Sequence, residues 1–252
     1  MENNPLPVKS RVLYQSAACV VVNKLIGEAV EGASGGMVDL PKELASVFGA
    51  NTEVIEAVHR LDVPVTGCAL FALTKTALTF LNAAFAGEAA LPSPVEKTYW
   101  AVIEKPSRPL PESGELIHWI ETNSGKNKSI AHKKDGSNRK KATLRYKVTG
   151  EGRNYLFTEI QLLSGRHHQI RAQFAAEGLH IKGDLKYGAK RSEKNGGIRL
   201  HARTLSFPDP LKRGEVIHIT ADPPVIDNLW ESFLTTNNKN TSHKGHGGRE
   251  GH

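Results

Sequence analysis

The sequence predicts an α+β fold built on a mixed, mainly antiparallel β-sheet flanked by helices and loops. Short runs rich in β-branched and aromatic residues dominate the chain. They do not alternate regularly with helical stretches, as a parallel βαβ sheet would require. The 252 residues, 39% of them hydrophobic, suffice for one good-sized core. Residues 1–235 are read as one domain, and 236–252 as a polar, low-complexity tail with no fixed structure.

In chain order, ACVVVN (18–23) and CALFALT (68–74) are apolar on both faces, which predicts central strands. Thr74 is a cap for a helix reaching Ala86, with Leu78, Leu81 and Phe85 on one side and Gly87 ending it. Strands follow at 97–103, 142–148 and 155–163. In the last of these, Leu156, Thr158, Ile160 and Leu162 share one face. A helix is expected from His168 to Glu177, turning Ile170 and Phe174 inward and stopping at Gly178. After strands at 198–207 and 215–220, a helix beyond Pro223-Pro224 presents Ile226, Leu229, Trp230 and Phe233 as an apolar stripe. Residues 123–141 are rich in lysine and poor in apolar side chains, which predicts a mobile loop that contacts phosphates.

Lysine and arginine number 33 against 26 acidic residues, a formal charge of +7 that favours a polyanionic partner. Cys19 and Cys68 lie in apolar runs without metal or redox spacing, so both are expected as reduced core thiols. The N-terminus lacks the apolar stretch of a signal peptide, and no apolar run approaches a membrane span. A cytoplasmic monomer is the expectation.

Two segments carry candidate chemistry. VHRLDVPVTG (58–67) sets His59, Arg60 and Asp62 within four residues, followed by chain-bending Pro64 and Gly67. By spacing alone, Asp62 reads as a turn cap paired with Arg60 at the surface. LLSGRHHQIRAQFAAEG (162–178) places Arg166, His167 and His168 where a strand gives way to a helix, a location suited to anions. Adjacent histidines on a helix would diverge, which argues against a shared metal.

HRLD…TG, KTYWAVIEKP (97–106), GRHHQIRAQFAAEGLHIKGDLKYG (165–188) and LHARTLSFPDP (200–210), in this order, resemble the signatures of the RluA-type RNA pseudouridine synthases. The resemblance runs from about Val12 to Pro224 and implies the pseudouridine synthase fold and an isomerase that needs no cofactor or metal. It implies that Asp62 is the catalytic aspartate, Tyr99 the active-site tyrosine and Arg166 the arginine that pairs with Asp62. Arg60 is implied to hold RNA around the flipped nucleotide, and Leu200 is placed as the apolar residue packed beside the aspartate. His59, Lys97, His168 and Arg171, with Lys133, Lys134, Lys140 and Lys141 of the 123–141 segment, complete the expected RNA contacts. The RNA is expected to be a stem-loop of ribosomal or transfer RNA. The family-like region begins so early that no RNA-binding S4 module is expected ahead of it.

The chain departs from the family pattern at Leu25 in NKLIG and at His180 in HIKGD, where relatives carry proline, and at Val63-Pro64-Val65 after HRLD. Two other readings remain at this stage. One is an RNA-binding protein or folding helper of the same fold without turnover. The other is a glycosidic-bond hydrolase, which would need a second carboxylate; Asp184 is the candidate.

Overall fold

A computed structural model describes residues 6–87 and 94–242, with side chains omitted at Asn51 and from 236 onward. The elements run β1 (Val12–Gln15), β2 (Cys19–Lys24), β3 (Glu28–Ala29), β4 (Val38–Asp39), α1 (Leu40–Phe48), β5 (Glu56–Ala57), β6 (Thr66–Ala72) and α2 (Lys75–Ala86). They continue with β7 (Glu96–Glu104), β8 (Ser113–Asn123), β9 (Lys128–His132), β10 (Arg139–Glu151) and β11 (Tyr155–Leu162). The chain then forms α3 (Gln169–Ala176), β12 (Leu200–Pro208), β13 (Val216–Thr220) and α4 (Asn228–Ser242).

Eleven of these strands form one sheet of order β1-β2-β6-β12-β7-β11-β10-β8-β9, with β13 on β12 and β5 on β6; β3 and β4 make a separate two-stranded ladder. Within the large sheet β6 and β12 run parallel, His201 opposite Thr66 and Ala202 opposite Gly67, and the other pairs listed in that order are antiparallel. The α+β expectation therefore holds. Every residue of β6 is buried, as its uninterrupted apolar run requires for a strand covered on both faces. On β11 the even positions Leu156, Thr158, Ile160 and Leu162 are buried; Thr158 satisfies its hydroxyl by donating to Ala101 O at 3.1 Å. Cys19 and Cys68 are free and buried, and burial pushes their thiols up to about 11 and about 12.

Thr74 caps α2, its Oγ1 accepting from Ala77 N–H at 3.1 Å, and Gly87 ends it at φ 78°. Ile170 and Phe174 of α3 enter the core. Trp230 and Phe233 of α4 pack on Trp100, Val102 and Phe157, whereas Ile226 precedes the helix and is exposed. The backbone of α4 stays helical to Ser242, beyond the residue 236 at which the polar tail was expected to begin; residues 243–252 lie outside the described residues.

Segment 123–141 corrects the sequence reading. It is a docked β-hairpin segment rather than a mobile loop, with β9 paired to β8 from Trp119–His132 to Asn123–Lys128. Among the bonds that dock it, the Ser129 N–H donates to Tyr187 Oη at 2.8 Å, Ser129 Oγ meets His167 Nδ1 at 2.9 Å, and Lys186 Nζ donates to Asn127 O at 3.0 Å. Among the described residues no helix is long and apolar enough to cross a membrane.

Candidate active site

Asp62 lies on the turn between β5 and β6, closed by Val65 N–H donating to Asp62 O at 2.9 Å. Lys24, fully buried at the end of β2, holds the turn from beneath. Its ammonium donates to Val65 O at 2.7 Å, Val63 O at 3.1 Å and Leu25 O at 2.8 Å. Where relatives have proline, Leu25 keeps an N–H and donates it to Glu28 at 2.7 Å; Arg11 grips the same carboxylate with contacts of 2.6 and 3.0 Å. Gly67 sits at φ 113°, and a Cβ there would lie 2.2 Å from Ala202 O. Only glycine lets β6 come this close to β12.

The Asp62 carboxylate reaches the rim of a cleft lined by Tyr99, Leu200, Leu162, Val65, His168 and Ile170. Its side chain is 20% exposed, whereas that of Arg171, its partner, is 5% exposed. Arg171 Nη1 donates to Asp62 Oδ2 at 2.9 Å. The other side of the guanidinium grips Asp184 with two bonds, Nε to Oδ2 at 2.7 Å and Nη2 to Oδ1 at 2.8 Å. Burial opposes the charge on Arg171, but the Asp184 and Asp62 carboxylates more than offset it and hold the guanidinium above its ordinary pKa. The Tyr187 ring lies beneath it at 4.9 Å. Tyr187 Oη also meets His168 Nδ1 at 3.0 Å, and the other ring nitrogen of His168 is 3.6 Å from Asp62. Burial drives the His168 imidazole down to about 3 despite the nearby carboxylate, so at neutral pH a neutral ring faces Asp62.

Tyr99 comes from the middle of β7, opposite Ile160 of β11 and Ala202 of β12. Burial, then the charge of Asp62, pushes its phenol up, so the hydroxyl keeps its proton. Leu200 opens β12 and is 3% exposed. One carboxylate, one flat aromatic face and an apolar wall thus converge on a single cleft.

Residues 18–176 match the family model described as RNA pseudouridylate synthase. The chain belongs to that family. An uncharacterized RNA pseudouridine synthase of Zymomonas mobilis is 29% identical, covering 85% of this chain and 93% of its own. From the same organism, a protein named ribosomal large subunit pseudouridine synthase D is 25% identical over 94% of this chain and 77% of its own, in keeping with the RluA-type motifs. The solved structure of human RNA pseudouridylate synthase domain containing 4 shares the fold, with a TM-score of 0.68 at 21% identity over 92% of this chain and 94% of that one.

In this pseudouridine synthase Asp62, Tyr99 and Leu200 meet as expected, but the arginine beside Asp62 is Arg171, not Arg166. Arg166 is exposed, and its Nε donates to Lys141 O at 3.2 Å. The start of α3 explains the difference, because a residue within the helix faces the core whereas the loop ahead of it runs over the surface. Arg171 is accordingly an interior ion-pair member and not a surface RNA contact. His59 also turns inward, stacking on Phe85 at 5.2 Å and accepting Leu70 N–H at 3.2 Å; burial and Lys97 drive it down to about 3. His167 and His168 do not diverge. Their rings stack at 3.8 Å because His168, at φ 52°, precedes the helix proper. Arg60 pairs with Glu31 at 2.9 Å on the surface of the cleft rim. Lys133 lies 3.4 Å from Glu177, and Lys134, Lys140 and Lys141 are exposed on the hairpin and on β10.

Asp184 is 2% exposed and fully engaged by Arg171. It is thus not free to act as the second carboxylate a hydrolase would need. Sequence reasoning gave no role to Lys24, Glu28 or Tyr187. Lys24 and Tyr187 stood inside quoted motifs, yet only their three-dimensional partners distinguish them from surface side chains.

Proposed function

We propose that this pseudouridine synthase isomerises uridines in structured ribosomal or transfer RNA, without a cofactor, through Asp62. The observation that carries the reading is the Asp62 carboxylate, fixed by Arg171 at a cleft floored by Tyr99 and Leu200. The uridine leaves its stack at a cost of roughly a few kcal/mol, least in a loop. Asp62 then assists rupture of the N1–C1′ bond, the base turns, and C5 bonds to C1′. The proton at C5 is lost and N1 gains one, so the isomer has the composition of the starting nucleoside. Tyr99 stacks on the uracil, and its protonated hydroxyl offers a hydrogen bond where C5 sheds its proton. Arg171 orients Asp62, and Arg60 exchanges Glu31 for the RNA backbone.

A compact stem-loop is the form of RNA that presents such a base, and a monomer carries the whole cleft. RNA tritiated at uridine C5 should release tritium to water with the wild-type protein. Asp62→Asn should bind RNA with unchanged affinity and release none. Binding without release by the wild type would replace this reading with an RNA-binding protein that lacks turnover.

A further inference from the structure

Beside the catalytic cleft lies a larger groove that shares Leu162 with it. Lys97 of β7 enters this groove, its Nζ 5.4 Å from the Phe85 ring centroid and 3.5 Å from the place a Cβ on Gly165 would take. Lys97 is half-buried, its ammonium has no hydrogen-bonding or ion-pair partner among the described residues, and desolvation lowers its pKa. Such a group is costly unless an anion joins it. Arg166, next to Gly165, lines the same groove; among the described residues only its Nε is engaged, by Lys141 O, and its terminal nitrogens meet no carboxylate. Among the described residues Glu96 is the acidic one along the groove, and it precedes Lys97 on the strand, so the two side chains leave from opposite faces.

We infer that Lys97 and Arg166 form an anion subsite for the RNA phosphodiester next to the flipped uridine. This rests on the proposed reaction, which puts a nucleotide in the neighbouring cleft. Lys97 and Tyr99 share one face of β7, two residues or about 6.6 Å apart. A nucleotide whose base lies on Tyr99 therefore carries its backbone past Leu162 toward the Lys97 ammonium. Gly165 has no side chain to block the gap between the two cations, and the Arg166 fork suits two phosphate oxygens.

The test uses the full chain with ribosomal and transfer RNA transcripts. Affinity is measured against salt concentration, and tritium release gives kcat and KM. Lys97→Met and Arg166→Met should each reduce the slope of log affinity against log salt by about 0.7 to 0.9. Each should also raise KM about tenfold with kcat within about twofold of wild type, and Lys97→Arg should restore the slope. Unchanged slopes in both methionine variants would overturn the subsite, as would a fall in kcat at constant KM. Arg166 is exposed, so its variant tests the subsite even if Lys97→Met fails to fold. If the wild type released no tritium while both variants still flattened the slope, the reaction would be refuted and the subsite retained.

Discussion

Arg166 and Arg171 stand five positions apart in one motif and do different work. Arg171 is buried between two carboxylates, so removing it leaves Asp184 and Asp62 uncompensated in a poorly solvated place. Arg171→Met should lower the unfolding free energy by about 3–5 kcal/mol, read from urea denaturation, and should abolish tritium release. Arg166→Met should change stability by less than about 0.5 kcal/mol. Equal urea midpoints for the two variants would contradict the buried ion-pair account. The same contrast explains what was legible. HRLD, KTY and LHA identify Asp62, Tyr99 and Leu200 by motif, but nothing in GRHHQIR says which arginine turns inward until the start of α3 is known.

Elements with a strong local pattern were readable. All seven expected strands exist, and so do the three expected helices, because burial on one or both faces imposes a period on the sequence. Most of the pieces that escaped notice have weak patterns, although β8, eleven residues long with His118 and Ile120 buried, was missed as well. β1, β3, β4 and β5 span four residues or fewer. α1 has only Leu40 and Leu44 buried, after the Asp39 cap. β9 is an edge strand set in a lysine-rich stretch that reads as a loop; lysine on such an edge discourages pairing with other chains. It becomes a strand because β8 pairs with it and Tyr187 engages Ser129. Two substitutions probe element boundaries. Thr74→Ala, which removes the α2 cap, should cost about 1 kcal/mol and lower Tm by a few degrees. Gly67→Ala forces a Cβ into the Ala202 backbone and should cost about 3 kcal/mol or more; wild-type-like thermal unfolding would show that β6 and β12 can separate freely.

Across the whole molecule, buried neutral imidazoles link stability to pH. Burial drives His59 and His168 down to about 3 and His201 to about 4. The buried His201 ring hydrogen-bonds with Thr66 Oγ1 and Ala221 O, each at 2.8 Å. Unfolded histidines titrate near 6.5, so between that value and about 3–4 the unfolded chain binds more protons than the folded one. Stability is therefore fully present above pH 6.5 and declines as the pH falls through that window. Urea midpoints should drop steadily from pH 6.5 to 4, and replacing His201 with Gln should flatten the decline. A midpoint independent of pH over that range would remove the linkage.

The sequence by itself determined the reaction class and the strands and helices with clear periods, and its motifs pointed to Asp62, Tyr99 and Leu200, which line one cleft, because motif order and local burial patterns are written in neighbouring residues. Only the tertiary structure decided that Arg171 reaches Asp62 across 109 positions, that a lysine-rich segment docks as a hairpin, and that Lys97 has no counter-ion among the described residues. Those outcomes depend on how α3, β7 and the hairpin pack against one another, and packing between distant segments leaves no local period to read.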